Sequence, residues 1–224
     1  LINDAIFCID NNMCIIINLN KKSFYTTKMK KKIILDLDHT LICTCPQDIL
    51  QIIIDDIDSI PLKKHHYEDC FVFERPHLQE FLDFLFENFD VSIFTAAMED
   101  YASFVVEKII IGDNKTRKID FFLSSIDADI CYNKYQKHKC LEYITELAHK
   151  DSKGLEYSLN NMLIIDDNLF VIDSNRDNCI AAPAFDVILL QVSSEVGQYY
   201  FINIACFEDT FLKDLINNLK NKML

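Results

Sequence analysis

Apolar residues along this chain fall into two kinds of run. Ile33-Ile34-Leu35, Phe121–Leu123 and Met162–Ile165 are short and uninterrupted, the pattern of strands buried on both faces. Val91-Ser92-Ile93-Phe94-Thr95 is a further short strand, ending in a hydroxyl, and Ile180–Ala182 is a candidate last core strand. Between them, apolar positions recur at helical spacing. Leu78, Phe81, Leu82, Leu85 and Phe86 make one stripe, and Tyr101, Phe104, Val105 and Ile109 another. Cys140, Leu141, Ile144, Leu147 and Ala148 make a third, and Phe211, Leu212, Leu215, Ile216 and Leu219 a C-terminal one. Pro76 suits the first position of the helix that follows Arg75, and Gly112 suits the end of the next. Strand and helix alternate, which predicts an α/β fold of three-layer, Rossmann-like form: a parallel sheet flanked by helices. Cys14–Ile17 is a candidate strand outside this series. Ile49–Phe73, with a polar centre at Asp55–Glu68, reads as a small β excursion.

Gly and Pro are scarce among the 224 residues, and no Pro/Gly/Ser-rich linker interrupts them. The expected division is an N-terminal extension, 1–27, packed on one domain, 28–224. A net charge of −13 argues against a nucleic-acid binder, whose affinity rests on neutralising phosphates. Lys28, Lys30, Lys31 and Lys32 read as a solvated lead-in to the first strand, and His65-His66 as a solvated pair. Nine scattered cysteines suggest reduced thiols in an intracellular protein, nuclear or cytoplasmic. Cys43-x-Cys45 lacks the second pair of a zinc site. No apolar run reaches the length of a membrane span, and a monomer is expected; the chain begins at Leu1, so a targeting peptide could have been cut away.

The chemistry begins at the end of the first buried strand. Asp36 and Asp38 sit where open α/β sheets place ligand sites, and two carboxylates so close repel unless a cation or proton lies between them. Thr95 ends the second strand, Lys134–Lys139 is a basic segment, and Asp166-Asp167 end the Met162–Ile165 strand. Phosphoryl transfer to a carboxylate needs such a set: a nucleophile, an acid for the leaving oxygen, a hydroxyl and an ammonium on the phosphate, and a metal-binding acid pair. Mg²⁺ takes hard oxygen ligands and keeps several waters, so two or three protein ligands suffice.

Asp36-x-Asp38-x-Thr40 after an apolar strand, then Thr95, a lysine and Asp166-Asp167, resembles the haloacid-dehalogenase superfamily of aspartate-nucleophile phosphotransferases. Leu35–Leu41, Arg75-Pro76-His77, Phe94-Thr95-Ala96, Tyr101-Ala102 and Ile164–Asp167 look like one branch of it. That branch is the small phosphatases of the RNA polymerase II C-terminal domain, also called the nuclear LIM interactor-interacting factor group. The resemblance implies Asp36 as nucleophile, Asp38 as general acid and then base, and Thr40 completing the motif. It implies Thr95 and a lysine on the phosphate; Lys139 is the choice and Lys137 the second. It implies Mg²⁺ on the Asp36 carboxylate, the Asp38 carbonyl and Asp167, with Asp166 beside it. The chain departs from the pattern at Glu74, usually basic, at His39, usually glutamate, and at Ser124-Ser125, where the group carries a substrate-gripping arginine.

Neither gap around Arg75 is long enough for a full lid domain, and an open cleft suits a phosphorylated Ser/Thr segment of another protein better than a small sugar phosphate. A small-molecule phosphatase and a degenerate phosphoprotein-binding module are the competing readings. A signalling receiver domain ranks below them, since no strand-end acid lies between Asp38 and Thr95.

Overall fold

A computed structural model describes residues 5–9, 13–17, 31–150, 157–193 and 197–223, and divides into two compact units. The first unit comprises Leu1–Leu37 and Asp83–Pro183, the second Asp38–Leu82 and Ala184–Leu224.

The first unit is built on a five-stranded parallel sheet. Its spatial order is Cys179–Ala181, Met162–Asp166, Lys32–Leu35, Asp90–Phe94, Ile119–Leu123. The strand that comes first in this series is therefore central. The chain adds strands on one side of it, then crosses to the other, and the switch occurs at the tip of Lys32–Leu35. Ile33, Ile34 and Leu35 are fully buried, each worth about 1.5–3 kcal/mol of transfer free energy. Below the opposite end, Lys32 is buried rather than solvated: its ammonium lies 2.6 Å from Asp90 and over the Tyr157 ring. The Ala5–Ile9 and Met13–Ile17 strands pair as an antiparallel hairpin, which takes in the expected Cys14–Ile17 strand.

Helices follow the strands as the stripes predict: Leu78–Asn88, Glu99–Val105 continued by a π-helical turn to Ile111, and Leu141–Lys150. Gly112, at φ +53°, closes the second of these. The Leu78–Asn88 helix starts two residues later than Pro76 suggests, because His77 takes a left-handed backbone (φ +67°) and interrupts the run. A helix at Ser125–Tyr135 has no counterpart in the apolar pattern; Cys131 is its only fully buried residue.

In the second unit the excursion is a three-stranded antiparallel sheet: Ile42–Pro46 and Lys64–Tyr67 flank Cys70–Glu74. A short helix, Gln47–Ile53, lies within it. An antiparallel hairpin, Ile188–Ser193 with Gly197–Ile202, and the helix Phe211–Met223 complete the unit. Its core gathers Cys43, Cys45, Leu50, Phe73, Phe185 and Val187. His65 is not solvated either. It hydrogen-bonds at 2.7 Å to Glu74, a buried carboxylate also reached by Lys63 and Gln79.

Among the described residues, no helix is long and apolar enough to cross a membrane. The seven cysteines whose side chains are described are all free thiols, and all but Cys70 are buried.

Candidate active site

Sheet register assembles the site. Leu35 is paired with Ile93 on one side and Ile165 on the other. One residue further, Asp36 lies level with Phe94 and Asp166, with its amide donating to the Ile165 carbonyl at 3.0 Å. Thr95 and Asp167 each follow at the next position. Three neighbouring parallel strands thus deliver Asp36, Thr95 and Asp166-Asp167 to one edge. Carboxylate oxygens of Asp36, Asp166 and Asp167 lie within 4.8 Å of one another.

Lys139 reaches the same place from a loop. It donates to Asp36 Oδ1 at 2.6 Å and to Asp166 Oδ2 at 2.7 Å, and is 5 % exposed. Lys137, the alternative, pairs instead with Glu142 at the surface. The loop holding Lys139 is tightly specified. Gln136 ends the preceding helix in a left-handed conformation, and Lys139 itself has φ +42°, a costly backbone for a non-glycine residue. The Cys140 amide donates to Cys131 Sγ, while Asn175 brackets the turn. Its side chain accepts from the Leu141 amide at 3.1 Å and donates to the Lys139 carbonyl at 3.3 Å. Asn175 is a positioning residue the sequence pattern missed, since an Asn in the polar stretch Ser174–Asn178 looks like any loop residue.

Among the described residues, the carboxylates of Asp36, Asp166 and Asp167 gather where the Lys139 ammonium sits between Asp36 and Asp166. Burial and the Asp36 carboxylate push Asp166 up to about 7, against the pull of Lys139. Burial works against the charge on Lys139, yet Asp36 and Asp166 outweigh it and hold the ammonium above the ordinary lysine range. A cluster so rich in negative charge is the electrostatic signature of a site for a further cation. The donors are hard carboxylate oxygens, which fit Mg²⁺, and Asp167 is the half-exposed member. Asp166 is committed otherwise: its second oxygen accepts from the Asn168 amide at 2.9 Å. Thr95 is buried, and its hydroxyl oxygen accepts from the Ala97 amide at 3.1 Å.

Asp38 and Thr40 come next in the chain after Asp36 and open the second unit. Asp38 is half-buried and Thr40 fully buried. The Thr40 carbonyl accepts from Arg75 Nη1 at 2.9 Å, and Arg75 in turn makes a two-bond fork to Asp209 at 3.0 and 2.7 Å. Its guanidinium also stacks near Phe185 and Phe211. Arg75 therefore anchors the segment that carries Asp38. The Ser124-Ser125 position starts a helix, with the Ser124 amide donating to Asp127 at 3.1 Å, and offers no guanidinium.

A family model described as NLI interacting factor-like phosphatase matches residues 31–196. The CTD phosphatase-like protein 355R of Invertebrate iridescent virus 6 is 34 % identical over 197 residues, covering 85 % of this chain and all of the viral one. CTD nuclear envelope phosphatase 1 of Xenopus laevis is 27 % identical over 157 residues, covering 67 % of this chain and 57 % of its own length. Among solved structures, the fission yeast RNA polymerase II CTD phosphatase Fcp1 aligns with TM-score 0.51 and 22 % identity over 70 % of this chain. This chain spans only 42 % of that Fcp1 chain, and the likeness establishes the fold alone.

Proposed function

The chain belongs to the NLI interacting factor-like phosphatase family, and from that premise we propose that it is a Mg²⁺-dependent protein serine/threonine phosphatase whose nucleophile is Asp36. The observation that carries the proposal is the buried Lys139 ammonium bridging Asp36 and Asp166, with Asp167 in the same cluster. A phosphate monoester brings further negative charge, so a site that receives it must supply cations in advance.

The steps follow from the residues. An Asp36 carboxylate oxygen attacks phosphorus; that O–P bond forms as the bond to the seryl or threonyl oxygen breaks. Asp38, two residues along the same segment, gives its proton to that leaving oxygen, a poor leaving group as an alkoxide. Asp38, now a carboxylate, takes a proton from water as the water oxygen attacks phosphorus, releasing phosphate and free Asp36. Lys139 holds the Asp36 carboxylate in place and shares the charge of the phosphoryl oxygens, with the Thr95 hydroxyl beside them. Asp36 and Asp167, and in the family pattern the Asp38 carbonyl, would hold Mg²⁺. When bound, the ion supplies further neutralisation of the phosphoryl charge.

A phosphoprotein is the substrate class this reading favours. Met98, Leu169 and Phe170 are exposed on segments that begin at the strand ends carrying Thr95 and Asp166-Asp167. Large apolar side chains on a rim suit a peptide chain and not a sugar phosphate. The relatives named as CTD phosphatases make the polymerase tail one candidate, and those named for the nuclear envelope fit a nuclear or cytoplasmic location.

Hydrolysis of an aryl phosphate and of phosphoserine peptides, with Mg²⁺ and with chelator, tests the reading. Turnover should need Mg²⁺ and disappear in Asp36→Asn. Asp38→Asn should lose about 10²–10⁴-fold on phosphoserine and less on the aryl ester, whose leaving group needs little protonation. Activity that survives Asp36→Asn would reject the nucleophile.

A further inference from the structure

Cys43, the first cysteine of a Cys-x-Cys pair that lacks a second pair, acquires partners in His39, four residues before it, and in Asp186, far along the chain. In the second unit, ligand atoms of His39, Cys43 and Asp186 all lie within 4.8 Å of one another. His39 is exposed and its Nδ1 shares a 2.6 Å hydrogen bond with Asp186 Oδ1, while Cys43 is buried beneath them. We propose that His39, Cys43 and Asp186 form a Zn²⁺ site, separate from the carboxylate cluster at Asp36.

Donor chemistry separates the two sites. One thiolate, one imidazole and one carboxylate are a borderline-soft set that zinc takes in tetrahedral form, whereas Mg²⁺ prefers oxygen alone. Three protein ligands leave a fourth position for water, and the exposure of His39 gives the ion a way in. With bonds of about 2.0–2.3 Å, a tetrahedral site requires the His39–Asp186 contact to lengthen by under about 1 Å. The surrounding frame is already fixed. The Phe185 amide donates to the His39 carbonyl at 2.7 Å, the Val187 amide donates to Cys43 Sγ at 3.4 Å, and Asn203 donates to the Asp186 carbonyl at 2.8 Å. The amide on the sulfur and the partner on the carboxylate segment are the kind of outer support that ligands need. His39 stands directly after Asp38, so the ion would add one more tie between the motif segment and the Phe185–Val187 segment. The backbone at His39 is left-handed, φ +59°, and Asn tolerates that conformation better than most residues. His39→Asn is therefore a variant that removes the ligand without straining the loop.

Co²⁺ serves as a spectroscopic stand-in, added to the full chain in excess Mg²⁺ so that the oxygen site is filled. The wild type should bind one Co²⁺ with a thiolate-to-cobalt charge-transfer band in the near ultraviolet, and Zn²⁺ should displace it. Zinc should also raise the melting temperature. His39→Asn and Asp186→Asn should each weaken binding at least about tenfold, and Asp167→Asn should leave the band unchanged. The proposal is overturned if the wild type shows no thiolate band. It is equally overturned if the band survives both His39→Asn and Asp186→Asn, or is lost in Asp167→Asn.

Discussion

Lys139 holds a buried ammonium between two buried carboxylates, bridging Asp36 and Asp166. Lys139→Met keeps the length of the side chain and removes the charge. Uncompensated buried carboxylates should then cost about 3–5 kcal/mol of stability. Millimolar Mg²⁺ should restore part of that loss, because a divalent ion replaces some of the missing positive charge, while turnover stays abolished. Urea unfolding with and without Mg²⁺ measures the first effect and aryl phosphate hydrolysis the second. Sequence could not single out this lysine by composition: Lys134, Lys137 and Lys139 share one basic segment. Burial distinguishes them, since Lys134 and Lys137 pair with Glu146 and Glu142 at the surface.

At the scale of elements, the Arg75 clamp and the Glu74 network explain why a conspicuous motif stands before the Leu78–Asn88 helix. Arg75 is 1 % exposed and ties the Thr40 carbonyl to Asp209. Arg75→Met should destabilise the protein by about 3–5 kcal/mol, since it leaves the Asp209 carboxylate unpaired. Arg75→Met combined with Asp209→Leu should recover much of the stability but not the activity, because the segment bearing Asp38 loses its anchor. Denaturation midpoints and turnover of the two variants separate these outcomes.

Glu74 gives a pH test. Burial works to raise its carboxyl, but hydrogen bonds from His65, Lys63 and Gln79 prevail and hold it below its ordinary 4.5. A carboxyl depressed in the folded state contributes stability that is fully present above the unfolded value and is lost as pH falls through the folded one. Glu74→Gln should therefore cost about 1–3 kcal/mol at neutral pH, with the gap closing below about pH 4.5. Urea midpoints across that range check it; a gap independent of pH contradicts the assignment.

For the molecule as a whole, the parallel sheet was legible because its strands are buried on both faces and read as unbroken apolar runs. The order of the candidate site residues along the chain was legible because three of its members sit at strand ends. What escaped notice lacks a periodic signature. Ser125–Tyr135 is polar on most of its surface, and the Ile188–Ser193 and Gly197–Ile202 hairpin exposes Leu190, Tyr199 and Tyr200. The division into two units left no compositional mark either. One boundary, Leu37/Asp38, falls inside the Asp-x-Asp motif, and another, Leu82/Asp83, inside a helix. The Arg75–Asp209 and Lys139–Asp36 pairs are separated by more than a hundred residues in sequence. Pattern reading along the chain cannot find contacts that far apart.

The central claim is that Asp36 takes the phosphoryl group. The most direct test is to mix Asp38→Asn with an aryl phosphate and Mg²⁺, quench in acid, and map the phosphate by mass spectrometry. The aryl leaving group bypasses the need for an acid in the first step, and the missing base slows the second, so a phosphorylated chain should accumulate. The account predicts one hydroxylamine-labile phosphate on the peptide containing Asp36; a phosphate found on any other residue would contradict it.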